Sequence, residues 1–259
     1  MKERIMWHFD EEDSKIIFLL KTMKSKYVED TLKTGAFCFN SPNCFISSND
    51  LYPAQNDTLD SHLTSNVMQV QMFPILSKDA NGIHYGDPKL VAAKAQIHEI
   101  STVSMHTPMC CFRRILEEDM VECENGSILK LGNLVDRIKN EFGHDSYILI
   151  LRPGDLLDKI EKISSVFARR IHYGDINPEF QEFLDKCEFP QAEMFQKRID
   201  YAWQKEFRII LPAQESTDPK IIQIGSIEDI AVSGYIDDLR KGLFIANEAY
   251  PITRAVTKI

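Results

Sequence analysis

Two side chains in the last third of the chain have the types and spacing for glycosyl-transfer chemistry. Gln204 and Glu206 stand two residues apart in a segment, residues 201–211, that is rich in aromatic and β-branched residues and is followed by Pro212. This composition predicts a strand, in which alternate side chains share a face. An ionised carboxylate on that face can stabilise positive charge that develops on a sugar, and a neighbouring amide can orient a nucleophile without titrating. Glu206 is therefore the first candidate catalytic residue, and Gln204 is the second.

The rest of the chain predicts a mixture of strands and helices that would position this pair. Strands are predicted over residues 16–20, 36–40, 146–151 and 166–173. Helices are predicted over residues 24–33, 128–142, 153–163, 178–186 and 235–246. The two types do not alternate regularly, which favours an α+β fold over a doubly wound sheet. Because no Gly/Ser-rich or Pro-rich linker interrupts the chain, we expect one domain over residues 1–259.

Bulk composition indicates a soluble protein of the cytosol. The chain is 44% hydrophobic and 27% charged, as is usual for globular proteins. No apolar run is long enough to span a bilayer, and residues 1–13 lack the apolar core of a signal peptide. The formal net charge of −9 argues against a broad phosphate-binding surface. The pairs Arg113–Arg114 and Arg169–Arg170 could still form a local basic groove.

The six cysteines do not predict a metal site or a thiol nucleophile. No Cys-x-x-Cys knuckle is present, and Cys110 and Cys111 are adjacent, so in a strand they point to opposite faces. The chain is also too long and too poor in cysteine for a disulfide scaffold. We therefore expect buried, apolar roles for most of these side chains.

Four further short motifs accompany the Gln204–Glu206 pair. They are Leu20-Lys21-Thr22, Phe39-Asn40-Ser41-Pro42, Asn56-Asp57 and Cys111-Phe112. With Tyr201, Gln204, Glu206, Phe207 and Arg208, they resemble the landmarks of a widespread bacterial family of uncharacterised domains. That family is similar to ADP-ribosyltransferase-like bacterial toxins and phage-defence proteins, whose closing motif is Gln/Glu-x-Glu. Thr22 and Arg113 stand where the family usually has tyrosine and serine.

The resemblance implies an ADP-ribosyltransferase-like fold of split β-sheets flanked by helices. It implies that NAD is the substrate and that its ADP-ribosyl group passes to a nucleic acid or a protein, in a toxin or an anti-phage effector. A toxin would have a neutralising antitoxin protein as partner, and no membrane or metal is implied. The residues assigned to NAD binding are Lys21, Thr22, Ser41, Phe39 and Tyr173, with Glu206 and Gln204 as the catalytic pair.

Three other interpretations use the same residues. Glu206 and Arg208, two positions apart, could form a surface ion pair that contributes roughly 0–1 kcal/mol. The scaffold could be a partner-binding module that does not bind NAD. Alternatively, water could attack the sugar, which would make the protein an NAD glycohydrolase that relies on Glu206.

Overall fold

The computed structural model describes residues 15–47, 63–67, 70–72, 75–79, 82–85, 89–92, 95–187, 191–212, 216 and 218–246. The strands are β1 Phe18–Met23, β2 Ala36–Phe39, β3 Leu63–Val67, β4 Val70–Met72, β5 Ile75–Asp79, β6 Gly82–Tyr85, β7 Lys89–Ala92, β8 Ala95–Glu99, β9 Met109–Ile115, β10 Met120–Cys123, β11 Gly126–Leu129, β12 Ser146–Ile150, β13 Phe167–Arg170, β14 His172–Tyr173, β15 Gln196–Lys197, β16 Glu206–Ile210, β17 Lys220–Gln223, β18 Ala231–Tyr235 and β19 Leu243–Ala246. The α-helices are α1 Val28–Thr34, α2 Pro42–Ser47, α3 Thr102–His106, α4 Leu134–Phe142, α5 Pro153–Glu161, α6 Pro178–Lys186 and α7 Asp238–Lys241. Short 3-10 helices cover Ser25–Tyr27, Glu117–Asp119, Ala192–Phe195 and Ile199–Gln204.

The central element is a six-stranded sheet in the order β13-β16-β9-β1-β12-β18. All of its strand pairs are antiparallel. Smaller sheets join β2 to β17 and β10 to β11 and β19. Helices and antiparallel strands mixed in this way confirm the predicted α+β class.

Helices cover both faces of the central sheet because its strands bury alternate side chains on opposite sides. Leu19 packs on one face with Leu156 of α5 and with the inward side of the β2–β17 sheet. Leu20 packs on the other face with Val135 of α4. β12 is buried at every position, as a strand between two covered faces requires.

Several element predictions are confirmed, and two of those outside residues 201–211 are wrong. The predicted strands at 36–40 and 146–151 and the predicted helices at 153–163 and 178–186 correspond to β2, β12, α5 and α6. Residues 128–142 contain the end of β11 before α4 begins. Residues 235–246 form the end of β18, the four-residue helix α7 and the strand β19 instead of one closing helix. The Asn56-Asp57 motif lies outside the described residues.

Candidate functional site

The central sheet splits between β1 and β9. The two strands pair only where Phe18–Leu20 meets Arg113–Ile115. Beyond that point β1 continues against β12, whereas β9 continues against β16. Lys21 lies in the gap and donates from Nζ to the Cys111 carbonyl at 2.8 Å. Its ammonium also stands 5.4 Å from the centroid of the Phe112 ring.

An open cavity of about 180 Å³ lies at this split. Its walls come from β1, β2, β9, α4 and the segment that leads into β16. β2 joins β9 through a bridge between Asn40 and Met109, and Cys38 and Cys111 line the cavity next to that bridge. The cavity therefore lies where separate parts of the β-structure diverge.

The chain enters β16 through a turn, so the strand predicted over residues 201–211 is wrong in its first half. Residues Ile199–Gln204 form a 3-10 helix, and Lys205 then adopts left-handed backbone angles with φ of 44°. Arg113 donates from Nη1 to the Trp203 carbonyl at 2.5 Å, and the Arg114 N–H donates to the Lys205 carbonyl at 2.8 Å. These long-range hydrogen bonds hold the turn against β9. Gln204 and Glu206 consequently do not share a strand face, although both line the cavity.

Glu206 is buried, with 5% of the residue exposed, and its carboxylate is paired with two cations. Arg208 contacts Oε1 through Nη2 at 2.6 Å and through Nε at 2.8 Å, while Lys197 Nζ lies 3.3 Å from Oε2. Arg208 is fully buried and also donates to the Met194 carbonyl. The possible surface ion pair between Glu206 and Arg208 is thus a buried ion cluster.

Tyr173 holds the backbone of Glu206 from behind the cavity. Its hydroxyl accepts a 2.8 Å hydrogen bond from the Glu206 N–H. Burial raises the pKa of Tyr173, and the nearby Glu206 carboxylate raises it further. The phenol therefore stays neutral, and it acts as a structural support for the start of β16.

The lining of the cavity is electropositive despite the acidic net charge of the chain. Three cationic side chains, Lys21, Arg113 and Lys197, line it together with the Glu206 carboxylate. Arg208 adds a fourth positive charge directly behind Glu206. Low-dielectric walls strengthen such a field, so the cavity favours anionic ligands. Of the four arginines in the Arg113–Arg114 and Arg169–Arg170 pairs, only Arg113 lines this cavity.

His144 and Thr22 form a neutral polar pair at the α4 side of the cavity. The Thr22 hydroxyl lies 2.8 Å from His144 Nδ1, and the imidazole stacks on Phe142 at a centroid distance of 5.7 Å. Burial, with the charges of Lys21 and Lys24, lowers the pKa of His144 to about 4. The imidazole is therefore uncharged at neutral pH.

Three buried nitrogen donors on the cavity lining have no hydrogen-bond partner among the described residues. They are Arg113 Nε, Trp203 Nε1 and Gln204 Nε2. Gln204 is only 8% exposed, so its amide cannot be satisfied by bulk water in this position. Buried donors of this kind are rare in native structures, so each of the three is a place for an ordered water or for an acceptor atom of a ligand.

Cys38, Cys110 and Cys111 line the cavity, and two of these three thiols are poor nucleophiles. Burial raises the pKa of Cys38 and of Cys110, so the reactive thiolate form is disfavoured. Among the described residues, no group of three or more His, Cys, Asp or Glu side chains is placed to hold a metal ion.

The structure brings four of the seven predicted site residues to one cavity. Glu206, Gln204, Lys21 and Thr22 line it. Phe39 is buried in the core, and Ser41 is buried beside Cys44. Tyr173 lies beneath Glu206, so none of these last three residues lines the cavity.

Sequence reasoning missed four residues that shape the cavity: Trp203, Lys197, His144 and Phe142. Lys197 belongs to the segment before the Glu206 motif, which offered a weak signal. His144 and Phe142 carry no signal in the sequence, because they reach the cavity only when α4 packs on the sheet.

Comparison with known proteins gives no match, whether to a protein-family model, a curated protein or a solved structure. In the part of the chain that the structure describes, no helix has both the length and the apolar character needed to cross a membrane.

Proposed function

We propose that this protein is a mono-ADP-ribosyltransferase that binds NAD in the cavity beside Glu206. The acceptor is an intracellular macromolecule, either a nucleic acid or a protein, and the protein acts as a toxin or an anti-phage effector. A neutralising antitoxin protein is the partner that a toxin requires. The observation that supports the proposal is a buried carboxylate on the wall of an electropositive cavity at the split of the sheet.

The proposed reaction breaks the bond between C1′ of the ribose and the nicotinamide nitrogen. Nicotinamide leaves as a neutral molecule with the bonding electrons, so no strong general acid is needed. The acceptor then forms a bond to C1′ and loses its proton to water. Glu206 accepts a hydrogen bond from a ribose hydroxyl and stabilises the positive charge on the sugar ring, as carboxylates do in glycoside cleavage.

Lys197 and Arg208 determine the charge state of the Glu206 carboxylate. Both keep Glu206 ionised, which the electrostatic role requires. The contact between Lys197 Nζ and Oε2 is long, at 3.3 Å. A ribose hydroxyl can therefore share this oxygen with the ammonium. Gln204, at the same wall, has an amide nitrogen with no partner in the described part of the chain, and this nitrogen can orient the acceptor or the departing nicotinamide.

The decisive experiment is incubation of cell lysate with labelled NAD and purified protein. We expect label to enter a macromolecule, with loss to nuclease identifying a nucleic-acid acceptor and loss to protease a protein. Glu206→Asp keeps the charge but withdraws the carboxylate, and we expect transfer to fall by about 10²-fold or more. The matched control is Glu179→Asp, at an exposed glutamate paired with Arg170, which should transfer normally. A folded Glu206→Asp protein with full activity would contradict the proposal.

The ion cluster supports a second candidate, a partner-binding module without catalysis. Glu206 already has two cationic partners, so its burial is explained by structure alone. Calorimetry with millimolar NAD separates the two candidates. Absence of heat favours the module, and binding followed by release of free ADP-ribose without macromolecular label identifies a glycohydrolase instead.

A further inference from the structure

The turn before β16 presents an unusual set of groups to the cavity. Arg113 Nε, Trp203 Nε1 and Gln204 Nε2 are buried N–H donors without a partner among the described residues. All three residues line the cavity described above. They come from two adjoining elements, β9 and the 3-10 helix, which the hydrogen bond from Arg113 to the Trp203 carbonyl fastens together.

The burial of these donors has a cost that a ligand can remove. A buried donor without an acceptor has lost its hydrogen bonds to water and has gained none in return. Three such donors at one cavity would be a considerable burden for a purely structural turn. The Trp203 ring is otherwise well packed. It contacts the Phe142 ring, and its centroid lies 4.0 Å from the guanidinium carbon of Arg137.

The chemistry of the missing acceptor follows from what else lines the cavity. Neutral thiols, a neutral histidine and N–H groups make it rich in donors, and the cations Lys21 and Lys197 complete the wall. A ligand that matches this surface has several acceptor oxygens and negative charge. A phosphoryl group has both, and it accepts hydrogen bonds from arginine, indole and amide N–H groups alike.

We propose that Arg113, Trp203 and Gln204 form a binding site for a phosphoryl group. The site deepens the proposed function, on which its biological meaning rests, because NAD contains a diphosphate and a nucleic-acid acceptor contains phosphodiesters. Phosphoryl binding itself does not depend on any reaction. The three residues act as specificity determinants, since a ligand without acceptor atoms at this place would leave their donors unsatisfied.

Calorimetric titration of the full chain with inorganic pyrophosphate tests the site directly. We expect binding in the wild type and about tenfold weaker binding in Trp203→Phe, which keeps an aromatic ring but lacks the indole N–H. Gln204→Met, which removes the amide at similar size, should have the same effect. Lys139→Met serves as a control at the surface, because Lys139 is exposed and paired with Asp237. This variant should bind pyrophosphate as the wild type does.

Two outcomes would overturn the site. One is no heat with millimolar pyrophosphate in the wild type. The other is unchanged affinity in folded Trp203→Phe and Gln204→Met proteins. In either case, transfer of label from NAD could still occur, so failure of the site is distinguishable from failure of the proposed function.

Competition identifies the source of the phosphoryl group once binding is established. If NAD displaces pyrophosphate, the site holds the diphosphate of NAD. If NAD and pyrophosphate bind together, and a short single-stranded RNA displaces pyrophosphate, the site holds the phosphate of the acceptor.

Discussion

At the scale of single residues, the environment of Glu206 changes what its substitution can reveal. For a catalytic carboxylate, Glu206→Gln is the usual substitution, because it removes the charge at nearly constant size. In the structure the carboxylate compensates the buried charges of Arg208 and Lys197. Loss of one member of such a cluster typically costs about 3–5 kcal/mol. Glu206→Asp is therefore the sharper test, because it retains the charge.

The histidine at the cavity makes stability depend on pH. The pKa of His144 is about 4 in the folded protein, below its ordinary value of 6.5, because of burial and the charges of Lys21 and Lys24, with Asp145 opposing. Between these two values the unfolded chain binds the proton and the folded chain does not. The free energy of unfolding should therefore fall as pH drops from about 6.5 to about 4, by up to about 3 kcal/mol.

Urea unfolding at several pH values, with His144→Gln as the comparison, measures this contribution. Carboxylates whose pKa is lowered in the folded state, such as Asp136 and Asp145, also reduce stability in acid. Their contribution to the pH dependence cancels in the comparison, since both proteins contain these carboxylates. Parallel pH dependences for the two proteins would show that His144 does not titrate as stated.

At the scale of elements, the junction between α1 and β2 depends on a glycine. Gly35 ends α1 in the left-handed region with φ of 62°, and its N–H donates to the Thr31 carbonyl at 2.8 Å. A Cβ at this position would lie 2.3 Å from the Gly225 carbonyl oxygen and 2.5 Å from Ile224 Cγ1. Both the helix stop and the contact with the segment after β17 therefore require glycine.

We expect Gly35→Ala to lower the free energy of unfolding by at least about 2 kcal/mol, from backbone strain and the clash together. Gly154→Ala is the matched control, since Gly154 lies in α5 with nothing within 4 Å of an added Cβ. It should be neutral or stabilising by up to about 1 kcal/mol. Equal effects of the two substitutions in urea unfolding would refute the role of Gly35.

The element predictions failed where long-range pairing overrides local preference. Residues 243–246 lie in a segment for which a helix is predicted, yet they form β19 because they pair with Gly126–Leu129. The turn at Lys205 is a second case. Its backbone angles are held by hydrogen bonds from β9, which no pattern within residues 201–211 encodes.

At the scale of the whole molecule, Arg208 links the central sheet to the segment before it in the chain. It is fully buried, pairs with Glu206 and donates to the carbonyl of Met194. Arg208→Met should lower the free energy of unfolding by about 3–5 kcal/mol, because the Glu206 carboxylate loses its closest cation.

The matched control is Arg152→Met. Arg152 also forms two ion pairs, with Asp155 and Asp229, but its side chain is 46% exposed. Solvent screens such pairs, so we expect a loss below about 1 kcal/mol. Chemical denaturation of both variants checks the contrast, and a small effect at Arg208 would mean that the buried cluster contributes little.

The sequence by itself determined the α+β class and several core strands and helices, and it singled out Glu206 as a candidate, because these depend on apolar periodicity and on a local motif. The resemblance to a known family also assigned Lys21 and Thr22 to the same site as that motif. Only the tertiary structure decided that β1 and β9 part after Leu20, that Gln204 reaches the cavity from a turn, and that His144 and Trp203 complete the wall. The reason is physical: a split sheet and its cavity arise from contacts between residues about 90–120 positions apart, such as those of Lys21 with Cys111 and Thr22 with His144, and no local preference specifies these contacts.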